Sequence, residues 1–207
     1  MKTPFTVEEF FNVFERYNTS VFPLQLIFIV LGVVAIFLLH KKKKIRHSFI
    51  TGFLGFLWFW TGLVYHLYFF TSINNAAYIF GALFILQGLL FIREIIRNRL
   101  EYSFKTESWK YVGYIIILTG LLIYPAIGYL LEESFEKTIS LGLPCPTTIF
   151  TFGFLMLTNI KFPKHLLIIP TLWALIGTIA ATNFGVFQDY LMIISALIAN
   201  FYLIKRK

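Results

Sequence analysis

The sequence contains one cysteine, Cys145, and one aspartate, Asp189, among its 207 residues. A single cysteine cannot form a disulfide within the chain, and there is no CxxC pair and no cysteine–histidine spacing typical of a zinc site. These absences argue against a dithiol oxidoreductase and a structural zinc protein, and no cofactor is predicted. Charged residues are scarce as well, at 14% of the chain, whereas soluble domains carry about 25%.

Apolar residues are abundant: 58% of the chain is hydrophobic, with 25 Phe and 11 Tyr. Seven mostly apolar runs have about the length of helix, roughly 20 residues, that crosses a bilayer. They cover residues 21–39, 48–70, 76–93, 111–131, 146–160, 165–183 and 188–204. The sequence therefore predicts an all-α fold, a polytopic transmembrane bundle of seven spans. The first run lacks a preceding basic region and a cleavage site, so no removable signal peptide is expected.

The distribution of lysine and arginine predicts the orientation of this bundle. The connections on one side carry fifteen of these residues and the connections on the other side carry three. The positive-inside rule then places the N-terminus outside and the C-terminus in the cytoplasm. The cytoplasmic run HKKKKIRH (40–47) is expected to contact anionic lipid headgroups, and not nucleic acid, through Lys41, Lys42, Lys43 and Lys44. The loop 94–110 mixes both charges, as a solvated or interfacial helix would.

Residues 1–20 are predicted to form a separate amphipathic, extracytoplasmic helix, followed by a single transmembrane domain over 21–207. Thr6 and Glu9 match a capping box, which marks a helix N-terminus. An aromatic face then recurs at helical spacing, at Phe10, Phe11, Phe14 and Tyr17. Such a helix either lies on the outer membrane surface or packs over the mouth of the bundle.

A short sequence pattern that occurs twice indicates an internal repeat. The pattern Leu-Trp-x-x-x-Gly occurs in the second predicted span (57–62) and in the sixth (172–177). It fits a parallel repeat of spans one to three with spans five to seven, a 3+1+3 plan joined by span four. In topology alone this plan is similar to the sugar-efflux facilitators called SWEETs, whose Pro-Gln signature is absent. A repeat would make Trp58 and Trp173 face each other; otherwise both are packing aromatics.

Polar residues inside apolar spans cost free energy and therefore indicate a site. Most of them lie toward the outer ends of the predicted spans, so the sequence predicts an outward-facing polar pocket. With the two tryptophans, the predicted ligand-binding residues are Trp58, His66, Gln87, Cys145, Thr147, Thr148, Trp173, Gln188 and Asp189. No catalytic residue and no metal site is predicted.

Three of these residues have two interpretations each. Pro144 and Pro146 hold the chain extended around Cys145 and place its thiol at a helix N-terminus, where the dipole favours thiolate. This segment is either a reactive site or a rigid elbow. His66 either handles a ligand or a proton or is structural. Asp189 either pairs with His66 or caps the last span.

The most specific motif of the chain is GLPCPTTIFTFG (142–153). Five further motifs occur elsewhere in the chain: FFNVFERYN (10–18), YHLYFF (65–70), FGALFILQGLLF (80–91), LWALIGTIAA (172–181) and GVFQD (185–189). In these motifs the chain resembles a family of small bacterial multi-pass membrane proteins of unknown function. The resemblance covers nearly the whole chain and implies a helical bundle in the bacterial inner membrane. It assigns no substrate and no catalytic residue.

Three classes of function fit these observations. A permease or facilitator for a small solute is favoured by the pocket, the repeat and the tryptophan pair. A ligand sensor or accessory membrane subunit is the alternative. A metal- or thiol-dependent membrane enzyme that uses Cys145 and His66 is the third, so enzymatic activity is not favoured. Five glycines offer close helix contacts within the bundle or in a homo-oligomer: Gly52, Gly55, Gly113, Gly120 and Gly177.

Overall fold

The computed structural model describes residues 4–41, 45–103, 108–132, 134–158 and 162–205. This part of the chain is almost entirely helical, and its β-type contacts are two isolated bridges. The all-α prediction is confirmed. Of the four lysines expected to contact lipid, Lys41 is described and exposed, whereas Lys42, Lys43 and Lys44 lie outside the described residues.

The described residues form nine α-helices, which follow one another along the chain. They are α1 (Val7–Val21), α2 (Leu24–Leu39), α3 (Ile45–Trp60), α4 (Ala77–Arg97), α5 (Ser108–Leu118), α6 (Tyr124–Glu132), α7 (Pro144–Met156), α8 (Ile168–Phe184) and α9 (Tyr190–Lys205). Helix α3 continues as a π-helix, Thr61–Phe69, and a 3-10 turn, Phe70–Ser72. A second π segment, Thr119–Ile123, joins α5 to α6. Short 3-10 turns precede α8 (Lys164–Leu167) and α9 (Phe187–Asp189).

Five of the described helical stretches are long and apolar enough to cross a membrane. They are Ile45–Ser72, Ala77–Arg97, Trp109–Leu131, Lys164–Phe184 and Phe187–Lys205, and each coincides with a predicted span. The other two predicted spans are shorter helices. Helix α2 has 16 residues and passes the same test only together with α1, from which it is bent by 81°. Helix α7 has 13 residues, which is about 20 Å of helix against about 30 Å of bilayer core.

Helix α7 is the central element of the bundle. All of its residues except Cys145 are buried, because α5, α9, α8 and α3 pack around it. Two glycines allow α5 and its π extension to approach it closely. A Cβ on Gly153 would lie 2.6 Å from the Ile117 nitrogen, and a Cβ on Gly120 would lie 2.7 Å from the Phe150 nitrogen.

The five glycines expected to make close helix contacts all face neighbouring elements of the same chain. For example, Gly55 faces Gly88 and Phe91 of α4, and Gly177 faces Met192 of α9. These glycines therefore serve the packing of the bundle, while a homo-oligomer stays a prediction.

Helix α1 packs over one end of the bundle. Its N-cap is the predicted capping box: Thr6 Oγ1 accepts from the Glu9 N–H at 3.1 Å, and the Thr6 N–H donates to Glu9 Oε2 at 2.7 Å. Of the predicted aromatic face, Phe10, Phe14 and Tyr17 are buried. Helix α1 therefore packs on the bundle through this face, while its extracytoplasmic position stays a prediction.

In the segment 94–110, expected to be solvated or interfacial, Glu94 belongs to α4 and is buried, whereas residues 97–99 and Glu101 are exposed. Helix α4 ends at Arg97, and Asn98 adopts a left-handed conformation with φ of 50°. The Glu94 side chain is fully buried and lies 3.6 Å from Arg99 Nε and 3.5 Å from His165 Nε2. Tyr102 is buried as well, and this burial raises the pKa of its phenol.

Candidate functional site

A cavity of about 220 Å³ lies beneath α1, and we refer to it as the α1 cavity. Phe5, Phe10 and Phe14, from α1 and the segment before it, line one side. The other walls come from the end of the α3 stretch, the beginning of α4, the chain 139–145, α8 and the turn before α9. Residues far apart in sequence therefore meet at this end of the bundle.

Ring contacts hold α1 on the cavity. Phe10 packs on Phe184 of α8 with ring centroids 4.8 Å apart. Phe14 stacks on Tyr65 at 5.6 Å with an interplanar angle of 4°. Stacked aromatic pairs of this kind add stabilisation beyond their buried area. The aromatic face of α1 is thus the cover of the α1 cavity.

Gly142 joins α1, α3 and α7 next to the cavity. Its carbonyl oxygen accepts a hydrogen bond from the Tyr17 hydroxyl at 3.1 Å and lies 3.1 Å from Thr61 Oγ1. Its N–H donates to Thr147 Oγ1 at 3.2 Å. The residue has φ of +100°, and a Cβ there would lie 2.6 Å from Phe28, so a glycine is required. Sequence reasoning missed Gly142, although it precedes the Pro-Cys-Pro motif.

Asp189 and Cys145 meet at the wall of the α1 cavity. Asp189 is 2% exposed, and its carboxylate accepts a hydrogen bond from the Tyr124 hydroxyl. Cys145 lines the cavity together with Asp189 and Trp173. Sequence reasoning missed Tyr124, because a tyrosine in an apolar run looks like a packing residue. The described partners of Asp189 do not include His66, so the predicted ion pair is not formed.

His66 lies behind the cavity wall. Its ring is fully buried, and neither ring nitrogen has a hydrogen-bond partner among the described residues. Aromatic rings surround it, with centroids at 4.7 Å for Phe84, 5.1 Å for Trp173 and 5.1 Å for Tyr65. His66 therefore touches residues that line the cavity without being among the described lining residues itself.

The two predicted tryptophans are both neighbours of Phe84. The Trp58 ring lies 4.4 Å from that of Phe84 and the Trp173 ring lies 5.0 Å from it. Trp58 Nε1 donates to Thr151 Oγ1 at 3.0 Å, whereas Trp173 lines the α1 cavity. The repeat that would make these residues equivalent stays a prediction.

The remaining predicted site residues make contacts within the bundle. Gln87 Nε2 donates to the Leu166 carbonyl oxygen at 3.1 Å. Thr148 Oγ1 donates to the Pro144 carbonyl oxygen at 2.8 Å. Gln188 is 5% exposed and lies beside Gly128. Of the nine predicted residues, the structure brings Cys145, Trp173 and Asp189 together around the α1 cavity.

The zinc alternative lacks a ligand set. Within the described ranges no three side chains of His, Cys, Asp or Glu are arranged to hold a metal ion. Among the described residues His66, Cys145 and Asp189 thus do not form a common metal site.

Comparisons with known proteins place the whole helical part of the chain in one family. No curated protein and no solved structure matches the chain. One family model matches residues 7–207, from the first residue of α1 to the last residue of the chain. This match confirms the expected membership of an uncharacterised family: the chain belongs to DUF6064, a family of unknown function.

Proposed function

We propose that the protein is a multi-pass protein of the inner membrane that binds a small solute in the α1 cavity and acts as a permease or facilitator for it. The observation that carries this proposal is the cavity itself. It lies within a bundle of long apolar helices, under an amphipathic helix, and has Cys145 and Asp189 in its wall. Cavities with few polar groups among apolar walls are typical ligand sites.

The proposal includes seven crossings with the N-terminus outside. In this proposal α2 and α7 are the other two crossings, in addition to the five long stretches. Helix α7 is then a span that is surrounded by protein. The described basic residues support this orientation. Arg46 at the start of α3, Arg93 and Arg97 in the last turns of α4, and Lys164 in the turn before α8 lie at the end of the bundle opposite to α1, where the positive-inside rule puts the cytoplasm.

Transport requires the solute to leave at the other end, where polar contacts join α4 to the turn before α8. Gln87 of α4 bonds the Leu166 carbonyl, and Glu94 of α4 lies 3.5 Å from His165. In a facilitator these contacts are the ones that break when α8 moves away from α4. The conformation described here then corresponds to a state closed on the cytoplasmic side.

A sensor or accessory subunit is the second candidate, favoured by one observation. The α1 cavity lies at one end of the bundle, and the residues beyond it, such as Trp58 and Phe84, are tightly packed. A sensor needs to bind its ligand from one side and requires no second opening.

Modification of Cys145 from the two sides of the membrane distinguishes these candidates. The chain has one cysteine, and this cysteine lines the cavity, so the wild type needs no engineering. A membrane-impermeant methanethiosulfonate reagent is added to right-side-out and to inside-out vesicles. We expect modification from both sides, because a facilitator exposes its site alternately. Modification from one side alone would favour the sensor, and no modification from either side would contradict a solute site.

Two control variants complete the experiment. Cys145→Ser must abolish the modification. Lys205→Cys in the Cys145→Ser chain places the thiol on an exposed residue at the end of α9. It must react in one vesicle orientation alone, which shows that the vesicles are sealed.

A further inference from the structure

The α1 cavity has walls made largely of aromatic rings. Eight of its described lining residues are Phe, Tyr or Trp. They come from α1 and the segment before it, from the π-helix and 3-10 turn that follow α3, and from α4 and α8. The face of an aromatic ring carries partial negative charge and attracts cations, and Trp and Tyr do so most strongly. The aliphatic lining residues are fewer, namely Pro4, Ile139, Pro144, Ile176 and Ile179, and a purely apolar ligand would be served equally well by such residues alone.

The α1 cavity has a single charged residue among its described lining residues, and its charge is negative. Asp189 is the one acid among the described lining residues, and no Lys, Arg or His is among them. The chain as a whole carries a net charge of +8. The negative charge of the cavity is therefore a local feature. It does not follow from the composition of this basic protein.

The described partners of Asp189 are neutral. The Tyr124 hydroxyl donates to its carboxylate, Cys145 lines the same cavity, and the described salt bridges do not include Asp189. At the other end of the bundle the buried Glu94 has Arg99 and His165 beside it. Buried charges in proteins are usually paired, because an unpaired charge is costly to desolvate. Within the described part of the chain Glu94 thus has a countercharge and Asp189 has none.

We propose that the α1 cavity binds a small organic cation, a quaternary ammonium or a protonated amine, and that Asp189 and the aromatic walls hold its charge. This inference rests on the proposed solute-binding function and names the chemical class of the solute. The cavity volume of about 220 Å³ lies below the roughly 300–1,000 Å³ of pockets for drug-sized ligands. The cation is accordingly small, with a charged head and few further atoms.

Equilibrium binding of radiolabelled choline to the purified protein tests the proposal directly. The full chain is held in dodecyl maltoside, an uncharged detergent that does not compete for the carboxylate. We expect saturable binding of one choline per chain, displaced by tetramethylammonium and by butylammonium. The uncharged isostere 3,3-dimethylbutan-1-ol has the shape of choline without its charge. It should compete at least about tenfold more weakly, given the strength of desolvated cation–π contacts.

Two variants locate the interaction. Asp189→Asn keeps the shape of the side chain and an acceptor for Tyr124, so the fold is retained, but it removes the charge. Choline affinity should fall about 30-fold or more, as for the loss of a buried charge partner. Glu8→Gln removes an exposed negative charge of α1 and should leave choline binding unchanged, which excludes a general surface effect.

Several results would overturn the proposal. They are the absence of saturable binding of any of the three cations, equal competition by the neutral alcohol, and unchanged affinity in a folded Asp189→Asn chain. A co-purified lipid that blocks the cavity and is displaced by the alcohol would also count against it, because the carboxyl would then serve an apolar ligand. The labelling of Cys145 reports separately on transport. Choline binding together with labelling of Cys145 from one side alone would support the cation site and would contradict the proposal of a facilitator.

Discussion

The indole nitrogen of Trp58 shows how one buried donor is satisfied inside this bundle. Trp58 Nε1 donates to Thr151 Oγ1, and the Thr151 hydroxyl in turn donates to the Thr147 carbonyl oxygen at 2.8 Å. All three residues are fully buried. The contact joins α3 to α7 and accounts for Trp58 as a packing residue, while its role as a ligand-binding residue stays a prediction.

Thr151→Val is expected to destabilise the protein, because valine has nearly the same shape but cannot accept the Trp58 hydrogen bond. A buried donor left without a partner costs about 1–3 kcal/mol. The midpoint of thermal unfolding in detergent should therefore fall. Thr178→Val is the matched control, because the Thr178 hydroxyl donates to the Ala174 carbonyl of its own helix at 2.8 Å. An equal loss in both variants would refute the special role of the Trp58 bond.

At the scale of elements, the pairing of α5 with α7 depends on glycine. A Cβ on Gly153 would lie 2.6 Å from the Ile117 nitrogen and 2.8 Å from the Gly113 carbonyl oxygen, both of them backbone atoms of α5. Backbone cannot rotate out of the way as a side chain can. The two helices would have to separate, and the buried contacts along α7 would loosen.

Gly153→Ala is expected to lower the free energy of unfolding by about 2 kcal/mol or more, as overpacking of a tight interface does. Gly52→Ala is its control within a helix, because the nearest atom to a Cβ there, Ile95 Cδ1, is 3.7 Å away. This control should be neutral or gain about 0.5–1 kcal/mol from the helix preference of alanine. Thermal unfolding of both variants in one detergent makes the comparison. Wild-type stability in Gly153→Ala would contradict the close approach of α5 and α7.

The positions of the elements could be predicted from the sequence better than their ends. The apolar runs located the long stretches, and the capping box located the start of α1. The predicted span 146–160 differs from the observed helix at both ends, because α7 begins at Pro144 and ends at Met156. There the Ser103 N–H donates to the Leu157 carbonyl oxygen at 3.0 Å. Ser103 is distant in sequence, so the local sequence around Leu157 could not predict this contact.

At the scale of the whole molecule, the two ends differ in chemistry. One end has α1, the aromatic cavity and Asp189, and the other has Glu94 among basic residues. The sequence predicted a polar pocket near Cys145 and Asp189. Its aromatic character was not foreseen, because Phe5 and Phe10 reach the cavity only when α1 folds back over the bundle. The same holds for Glu94, whose burial depends on His165 from a different element.

Reporter fusions test the orientation of the whole chain. Green fluorescent protein fused to the C-terminus should fluoresce in bacterial cells, and alkaline phosphatase fused at the same place should be inactive, because both report a cytoplasmic end. An impermeant maleimide should label Glu8→Cys, in the Cys145→Ser chain, on intact spheroplasts. An active phosphatase fusion together with labelled Glu8→Cys would mean an even number of crossings and would disprove seven.

The enclosure of α7 has a consequence for the biosynthesis of the protein. Twelve of its 13 residues are buried by protein, and a major partner, α9, follows α7 in the chain. A helix of about 20 Å that leaves the translocon alone would meet lipid on every side and would be too short for it. In the proposed seven-span topology, α7 is therefore expected to reach its final place only after α9 has been synthesised.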